Sequence, residues 1–237
     1  MTASFVLPTY NEKDNIIILI KAIQKSVKKV TRDFEIIVVD DNSPDRTGYI
    51  CRKYFGIRKD FKVYIRKKER GFASAILYGI KKARGTYIIV MDTDFSHDPE
   101  IIPSLLSKIK NCDIVIGSRY MKNGGGENKV RYWLSKVYNL YLRHILRIKI
   151  TDFLFGFFCV RKSFLIKNNL LSKNVFKGFG DYFIRLAYYV SKSNGIFLEI
   201  PAFYKSRIHG KTKSNITNML FTYTTSSLRL FLQDLFS

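Results

Sequence analysis

Two carboxylates, Asp92 and Asp94, stand two residues apart directly after an apolar run. A turn at the end of a strand can bring both side chains toward one cation. Hard divalent cations prefer oxygen ligands, and Mg²⁺ commonly uses one or two carboxylates together with phosphate oxygens of the substrate. The spacing therefore predicts a Mg²⁺ or Mn²⁺ site at Asp92 and Asp94, where the cation would neutralise charge on a diphosphate leaving group.

Acidic and aromatic side chains also follow the first two apolar runs of the chain. Asp41 comes at the end of the second run, and acidic residues at this place in nucleotide-binding α/β folds accept hydrogen bonds from a base or ribose. The residues 43–47 that follow are typical of a helix N-terminus. After the first run, Tyr10 offers a stacking face and Glu12 an acceptor for a ribose or base.

Short runs rich in Val and Ile alternate with longer helical patterns, which predicts an α/β fold with a Rossmann-like, mixed but mainly parallel sheet flanked by helices. The predicted strands are Ser4–Leu7, Glu35–Val39, Lys62–Ile65, Tyr87–Met91, Asp113–Ile116 and Ile196–Tyr204. The predicted helices are Glu12–Lys29, Thr47–Phe55, Ala73–Ala83, Glu100–Lys110, Lys129–Lys149 and Asp181–Lys192. Open α/β sheets bind ligands beyond the carboxyl ends of their strands, where the acidic residues lie. We expect one catalytic domain over residues 1–215, followed by an amphipathic helix within residues 216–237.

The chain is strongly basic. Its 237 residues include 41 Lys and Arg against 19 Asp and Glu, a net charge of +22. A hydrophobic content of 46% with 15% aromatic residues excludes a disordered basic tail. The charge must therefore lie on a folded surface, where it would attract nucleic acid, an anionic membrane or phosphorylated small molecules.

Three scattered cysteines, without a paired motif, indicate a reducing compartment and no structural metal. The first residues lack the basic and long apolar segments of a secretory leader. No stretch reaches the roughly 18–20 uninterrupted apolar residues of a membrane span. The tail Ile216–Phe236 comes nearest, but charged and polar residues interrupt it.

Three successive motifs, Leu7–Glu12, Val39–Thr47 and Met91–Pro99, resemble those of the dolichyl-phosphate mannosyltransferases, inverting enzymes of glycosyltransferase family 2 with the GT-A fold. The likeness continues at residues 117–120, 124–126, 151–152, 156–157 and 207–214. It covers nearly the whole chain, and several motifs in the same order are more specific than any single one.

The resemblance implies a role for individual residues. The matching positions are Pro8, Tyr10, Glu12, Val39 and Asp41 for the nucleotide, Asp92 and Asp94 for the metal with Thr93 beside them, Arg119, Arg207 and Lys213 for phosphate groups, and Arg131 and Ser135 for the acceptor phosphate. Asp92, Asp94, Arg119 and Arg131 are the implied catalytic residues. Thr93 and Ser96 depart from the family, which usually has Ala at the first position and in some members Gln at the second.

The implied reaction is the transfer of mannose from GDP-mannose to dolichyl or polyprenyl phosphate, giving a β-linked product. A phosphate acceptor is already anionic, so it needs positioning more than deprotonation. Two enzyme alternatives keep the fold: a UDP-glucose-dependent transferase to the same lipid, and a transferase to a saccharide hydroxyl that would use Asp181 as a base. A nucleic-acid-binding protein is disfavoured, because carboxylates at three strand ends would repel a polyanion.

The segment Lys129–Lys149 mixes basic residues with aromatic and aliphatic ones, as helices lying on anionic membranes do. The tail 216–236 is expected to pack on the domain, lie on the bilayer or dock a membrane subunit. Related enzymes without spanning helices rely on small membrane-protein subunits. We therefore expect a peripheral protein on the cytoplasmic face of a membrane, in a eukaryote the endoplasmic reticulum.

Overall fold

The computed structural model describes residues 2–56, 58–207 and 216–236. The strands are β1 (Ala3–Thr9), β2 (Phe34–Asp40), β3 (Phe61–Ile65), β4 (Tyr87–Val90), β5 (Ile114–Ser118), β6 (Gly125–Gly126), β7 (Phe158–Arg161), β8 (Phe197–Pro201) and β9 (Phe203–Tyr204). The helices are α1 (Lys13–Val27), α2 (Thr47–Phe55), α3 (Phe72–Lys82), α4 (Ile102–Lys108), α5 (Lys129–Leu146), α6 (Lys162–Lys167), α7 (Asp181–Lys192) and α8 (Ile216–Leu235). Short 3₁₀ turns at Pro99–Ile101 and Ile109–Asn111 flank α4.

The main sheet has the strand order β3-β2-β1-β4-β7-β5-β8. Strand β7 runs antiparallel to both of its neighbours, and the other pairs in this sheet are parallel. The carboxyl ends of β1, β2 and β4 consequently meet at one edge of the sheet. The prediction of a mixed, mainly parallel sheet flanked by helices is confirmed.

Successive side chains of the central strands point to opposite faces of the sheet, and each face has its own hydrophobic core. Phe5 and Leu7 of β1 pack with α1 and α4 on one face of the sheet, whereas Val6 packs with α3 and α7 on the other. Because both faces are covered, β1 and β2 are buried at every position, as their nearly continuous apolar runs predict.

The first five predicted strands are present within two residues at each end, but two features differ from prediction. Strand β7 is not among the predicted strands, yet it lies between β4 and β5 in the sheet. The last predicted strand, Ile196–Tyr204, is divided into β8 and β9, because Phe203 and Tyr204 leave the main sheet to pair with β6.

Helix α8 packs on α5 and α7 through a partly polar seam. Its buried residues include Tyr223, Ser227 and Leu230. The Tyr188 hydroxyl donates a 2.6 Å hydrogen bond to Asp234, which also pairs with Lys192. In the described ranges, no helix has the length and apolar character needed to cross a membrane.

The close approach of α3 to the sheet depends on Gly79. A Cβ atom at this position would overlap with the Val6 side chain of β1 and would lie 3.2 Å from Val39 Cγ2 of β2. The absence of a side chain at this point therefore lets α3 pack directly against the two strands that carry the predicted nucleotide-binding residues.

We expect Gly79→Ala to lower the free energy of unfolding by about 1–3 kcal/mol, since overpacking outweighs the roughly 0.5–1 kcal/mol by which Ala favours a helix over Gly. Val6→Ala alone should cost about 2 kcal/mol because it leaves a cavity. The double variant should lose less than the sum, by about 1 kcal/mol, because each change relieves the other. Urea denaturation of the full chain measures all three, and strictly additive losses would show that the two residues do not compete for space.

Candidate active site

A cavity of about 480 Å³ opens at the carboxyl ends of β1, β2 and β4. The predicted site residues that line it are Pro8, Tyr10, Glu12, Asp41, Asp92, Thr93, Asp94, Arg119, Arg131 and Arg207. In the sequence they range from Pro8, in the first motif, to Arg207. The structure therefore brings together side chains that lie as much as 199 positions apart in the sequence, the separation of Pro8 and Arg207.

Two predicted residues stand apart from this lining, and a third is not described by the structure. The Val39 side chain lies in the core beneath α3. Ser135, on α5, lies outside the lining and shares a 2.6 Å hydrogen bond with the Tyr120 hydroxyl. Lys213 lies outside the described residues.

The turn after β4 holds the two carboxylates of the predicted metal site. The Ser96 amide donates to Asp94 Oδ1 at 2.9 Å, and the Asp92 amide donates to His97 Nδ1 at the same distance. The other ring nitrogen, Nε2, donates to the Phe155 carbonyl at 2.8 Å. Burial lowers the pKa of His97 to about 4, so this imidazole is neutral. Its two hydrogen bonds hold the turn in place.

The surroundings of Asp92 favour a bound cation. Burial and the nearby Asp94 carboxylate raise the pKa of Asp92 to about 8, against the opposing effect of Arg207. Two crowded carboxylates are a donor set that Mg²⁺ and Mn²⁺ accept when phosphate oxygens and water complete the coordination. The described residues contain no cluster of three or more His, Cys, Asp or Glu able to hold a metal ion.

Arg207 lies beside two of the carboxylates that line the cavity, Asp94 and Glu12. Its Nη2 lies 2.9 Å from Asp94 Oδ2, and its Nη1 lies 3.8 Å from Glu12 Oε1. Glu12 also accepts a 2.7 Å hydrogen bond from Asn15 of α1. The first and third acidic motifs are thus joined by one guanidinium.

Asp41 has a partner that sequence reasoning missed. Arg66 Nε donates to Asp41 Oδ1 at 2.6 Å, and the Gly71 amide donates to Oδ2 at 2.8 Å. Arg66 also donates to the Gly71 carbonyl and to Ser74. These bonds hold the loop between β3 and α3 against the predicted nucleotide site. No local pattern could have found Arg66, since it lies 25 residues from Asp41.

Arg119 is held by a second missed residue, Asp152. The carboxylate accepts from Nε and Nη2 of Arg119, each at 2.8 Å, and is fully buried. Asp152 raises the pKa of Arg119 against the effect of burial, so the guanidinium stays charged. The predicted phosphate-contacting cation is therefore fixed in position at the cavity wall. In the sequence, Thr151 and Asp152 stand out only as part of the family resemblance.

Part of the cavity lining is apolar, and the loop before α7 and α8 both contribute to it. The members of this apolar wall are Phe72, Leu154, Phe179, Tyr182, Met219 and Tyr223. The tail helix thus contributes to the wall of the site. The same lining includes the acidic residues and Arg207, so the cavity combines polar and apolar surface.

Asp181 does not line the cavity. Its Oδ2 accepts from Arg185 at 2.6 Å and from Ser226 of α8 at 2.9 Å, and Oδ1 accepts from the Phe179 amide. Both carboxylate oxygens therefore serve to join α7, the preceding loop and α8.

The chain resembles known proteins over most of its length. The sequence profile of glycosyl transferase family 2 matches residues 4–168. The dolichol-phosphate mannosyltransferase of Pyrococcus furiosus is 38% identical over 220 residues, which cover 90% of this chain and 59% of that protein. The polyprenol monophosphomannose synthase of Mycolicibacterium smegmatis is 31% identical over 231 residues, 91% of this chain and 83% of that one.

Solved structures share the fold. Glucosyl-3-phosphoglycerate synthase from Mycobacterium tuberculosis, in complex with Mn²⁺, UDP and phosphoglyceric acid, superposes with a TM-score of 0.68 at 16% identity, covering 98% of this chain and 78% of that one. The same enzyme with Mg²⁺ and UDP gives a TM-score of 0.65 at 17% identity, covering 98% of this chain and 78% of that one. The predicted fold class is confirmed by these comparisons.

We expect Asp152→Asn to lower the free energy of unfolding by about 3–5 kcal/mol, because Arg119 would keep its buried charge without a counter-ion. Asp60→Asn is the matched control, since it breaks an exposed pair with Arg58 and should cost no more than about 1 kcal/mol. Urea denaturation of both variants tests this. Equal, small losses would show that Asp152 is not needed to hold the arginine.

Proposed function

The chain belongs to glycosyl transferase family 2, and we propose that it transfers mannose from GDP-mannose to a polyprenyl or dolichyl phosphate with inversion to a β-linkage. One observation carries the proposal: two neighbouring carboxylates, two arginines and a set of apolar side chains line the same cavity. The relatives named for this activity support it. The chain spans 59% of the length of the Pyrococcus relative.

On the donor side, the residues at the end of β4 suit a nucleoside diphosphate. When bound to Asp92 and Asp94, Mg²⁺ or Mn²⁺ supplies charge neutralisation for the leaving diphosphate. Arg207 adds a second positive charge on the same side, and preorganised cations stabilise the leaving group most when its charge is greatest. Tyr10 and Asp41 line the part of the cavity next to β1 and β2, where the nucleoside would lie.

On the acceptor side, Arg119 and Arg131 are the cations that would position an anionic phosphate. Arg119 is fixed by Asp152, and the Arg131 guanidinium lies 5.6 Å from the centre of the Tyr204 ring. The apolar wall beside them suits the first isoprene units of a lipid. A saccharide hydroxyl would need a base, and Asp181 does not fit that role because both of its oxygens accept hydrogen bonds away from the cavity.

The exposed faces of α5 and α8 form the surface that we place on an anionic membrane. On α5, Trp133, Leu134 and Val137 are 58%, 68% and 64% exposed. On α8, the exposed apolar residues are Leu220, Phe221, Leu228, Leu232 and Leu235. The helices touch through the hydroxyls of Tyr138 and Thr224, 2.9 Å apart.

Basic residues flank this apolar surface, including Lys136 beside Trp133. Apolar burial combined with attraction to acidic headgroups is how surface-lying helices bind membranes. Such binding would bring the cavity to its lipid acceptor on the cytoplasmic face. Small membrane-protein subunits, which the resemblance implies as partners, would meet the same surface.

The activity is tested by incubating the purified chain and Mg²⁺ or Mn²⁺ with GDP-mannose, UDP-glucose or other nucleotide sugars and a short polyprenyl phosphate in detergent. We expect a lipid-linked mannose with GDP-mannose. Asp94→Ala should lower turnover by about 100-fold or more through loss of leaving-group stabilisation, with its circular dichroism unchanged. Asp14→Asn, which removes an exposed carboxylate outside the cavity, is the control and should retain activity.

Transfer from UDP-glucose alone would favour the alternative donor. Failure to form a lipid-linked sugar with every donor, in detergent and in vesicles, would contradict the proposed reaction.

Membrane binding is tested by co-sedimentation with vesicles of 70% phosphatidylcholine and 30% phosphatidylglycerol. The double variant Leu134→Glu/Val137→Glu should bind about tenfold more weakly or worse, because it puts two charges into the apolar face. Ile18→Glu/Val30→Glu changes two exposed apolar residues elsewhere and should bind like the wild type. Equal binding of the two double variants would place the contact on another surface.

A further inference from the structure

Arg207 pairs with one of the two carboxylates that would hold the proposed metal ion. Asp94 Oδ1 accepts the Ser96 amide, and Arg207 Nη2 lies 2.9 Å from the other oxygen, Oδ2. The Arg207 side chain is only 25% exposed. A divalent cation held by Asp94 would therefore compete with the guanidinium for this carboxylate, and like charges repel each other more strongly where water is partly excluded.

The same guanidinium supplies positive charge to a cluster of carboxylates. Asp92, Asp94 and Glu12 all line the cavity, where their like charges repel one another. Arg207 lies beside two of these three carboxylates. In the absence of a metal ion it is thus a counter-cation for the acidic residues.

Within the described part of the chain, the hydrogen bonds of Arg207 are incomplete. Its Nε atom is buried and makes no hydrogen bond with the described residues. A buried donor needs an acceptor. An anionic ligand in the cavity would offer the guanidinium further acceptors in addition to Asp94 and Glu12.

We propose, on the basis of the donor site proposed above, that Arg207 is an exchangeable counter-cation. It pairs with Asp94 and Glu12 when no metal is bound, leaves Asp94 when a divalent cation binds, and then pairs with the diphosphate of the donor.

This exchange couples metal and nucleotide binding. A divalent cation alone must displace Arg207 from Asp94, which is the closer of its two carboxylate partners. When a nucleoside diphosphate is also present, the displaced guanidinium gains a new anionic partner. The nucleotide should therefore raise metal affinity through Arg207, beyond what direct coordination by its phosphates provides, and by linkage the metal should raise nucleotide affinity by the same factor.

The test measures Mn²⁺ binding to the full chain by electron paramagnetic resonance of free Mn²⁺, with and without GDP. Arg207→Gln should bind Mn²⁺ alone about fivefold more tightly than the wild type, because the competing cation is gone. The factor by which GDP enhances Mn²⁺ affinity should fall by a similar amount. Arg207→Lys, which keeps the charge but not the planar fork, should lie between the two.

Lys205→Gln is the matched control. It removes the same charge two residues away, where Lys205 pairs with Asp98, and neither residue lines the cavity. Its Mn²⁺ affinity should equal that of the wild type. If Arg207→Gln binds Mn²⁺ alone no more tightly than the wild type or Lys205→Gln, the exchange is overturned while the donor site stands. If the wild type binds no Mn²⁺ even with GDP, the proposed metal site itself fails.

Discussion

Carboxylates gathered at one edge of a buried sheet must each find a positive partner, and much of this structure follows from that constraint. The strands that bring Glu12, Asp41 and Asp94 together also remove them from bulk water, so each carboxylate needs a partner within the protein. Arg66 is that partner for Asp41, and Arg207 is the partner of Glu12 and Asp94. Burial and the neighbouring Asp94 carboxylate raise the pKa of Asp92 to about 8, and Arg207 offsets this only in part. The proposed metal site rests on this crowding of carboxylates at the end of β4.

The net charge of +22 divides into two parts with different roles. A few arginines are buried and neutralised by specific carboxylates, as Arg119 is by Asp152 and Arg185 is by Asp181. Such pairs fix geometry, because a lost partner would leave a buried charge uncompensated. The larger part is exposed, and on α5 it alternates with apolar side chains. This exposed part lies outside the cavity, so it is the charge that the membrane contact proposed above would use.

The parts of the fold that depend on local pattern were predictable, and the parts that depend on long-range pairing were not. Apolar runs ending in acidic residues located β1, β2 and β4, and with them the site. The position of β7 is set by its antiparallel pairing with β4 and β5, which its four-residue sequence does not encode locally. Arg66 and Asp152 were missed for the same reason, since each meets its partner only in the folded chain. The family motifs supplied Arg119 and Arg207, which composition and spacing alone could not have singled out.

Helix α8 links the cavity to the exposed surface. A side chain at position 180 would overlap with the Tyr223 ring, so Gly180 lets α8 pack down over the loop that precedes α7. The ion pair of Asp181 with Arg185, and the bonds of both to Ser226, hold that contact. One face of α8 thereby completes the apolar wall through Met219 and Tyr223, while Phe221 and Leu228 on the same helix face outward. In the proposed reaction, a lipid phosphate would come from a membrane bound to α5 and α8. It would meet apolar side chains of α8 both on the outer surface and inside the site. Its phosphate could therefore reach the arginines while its chain stays out of water.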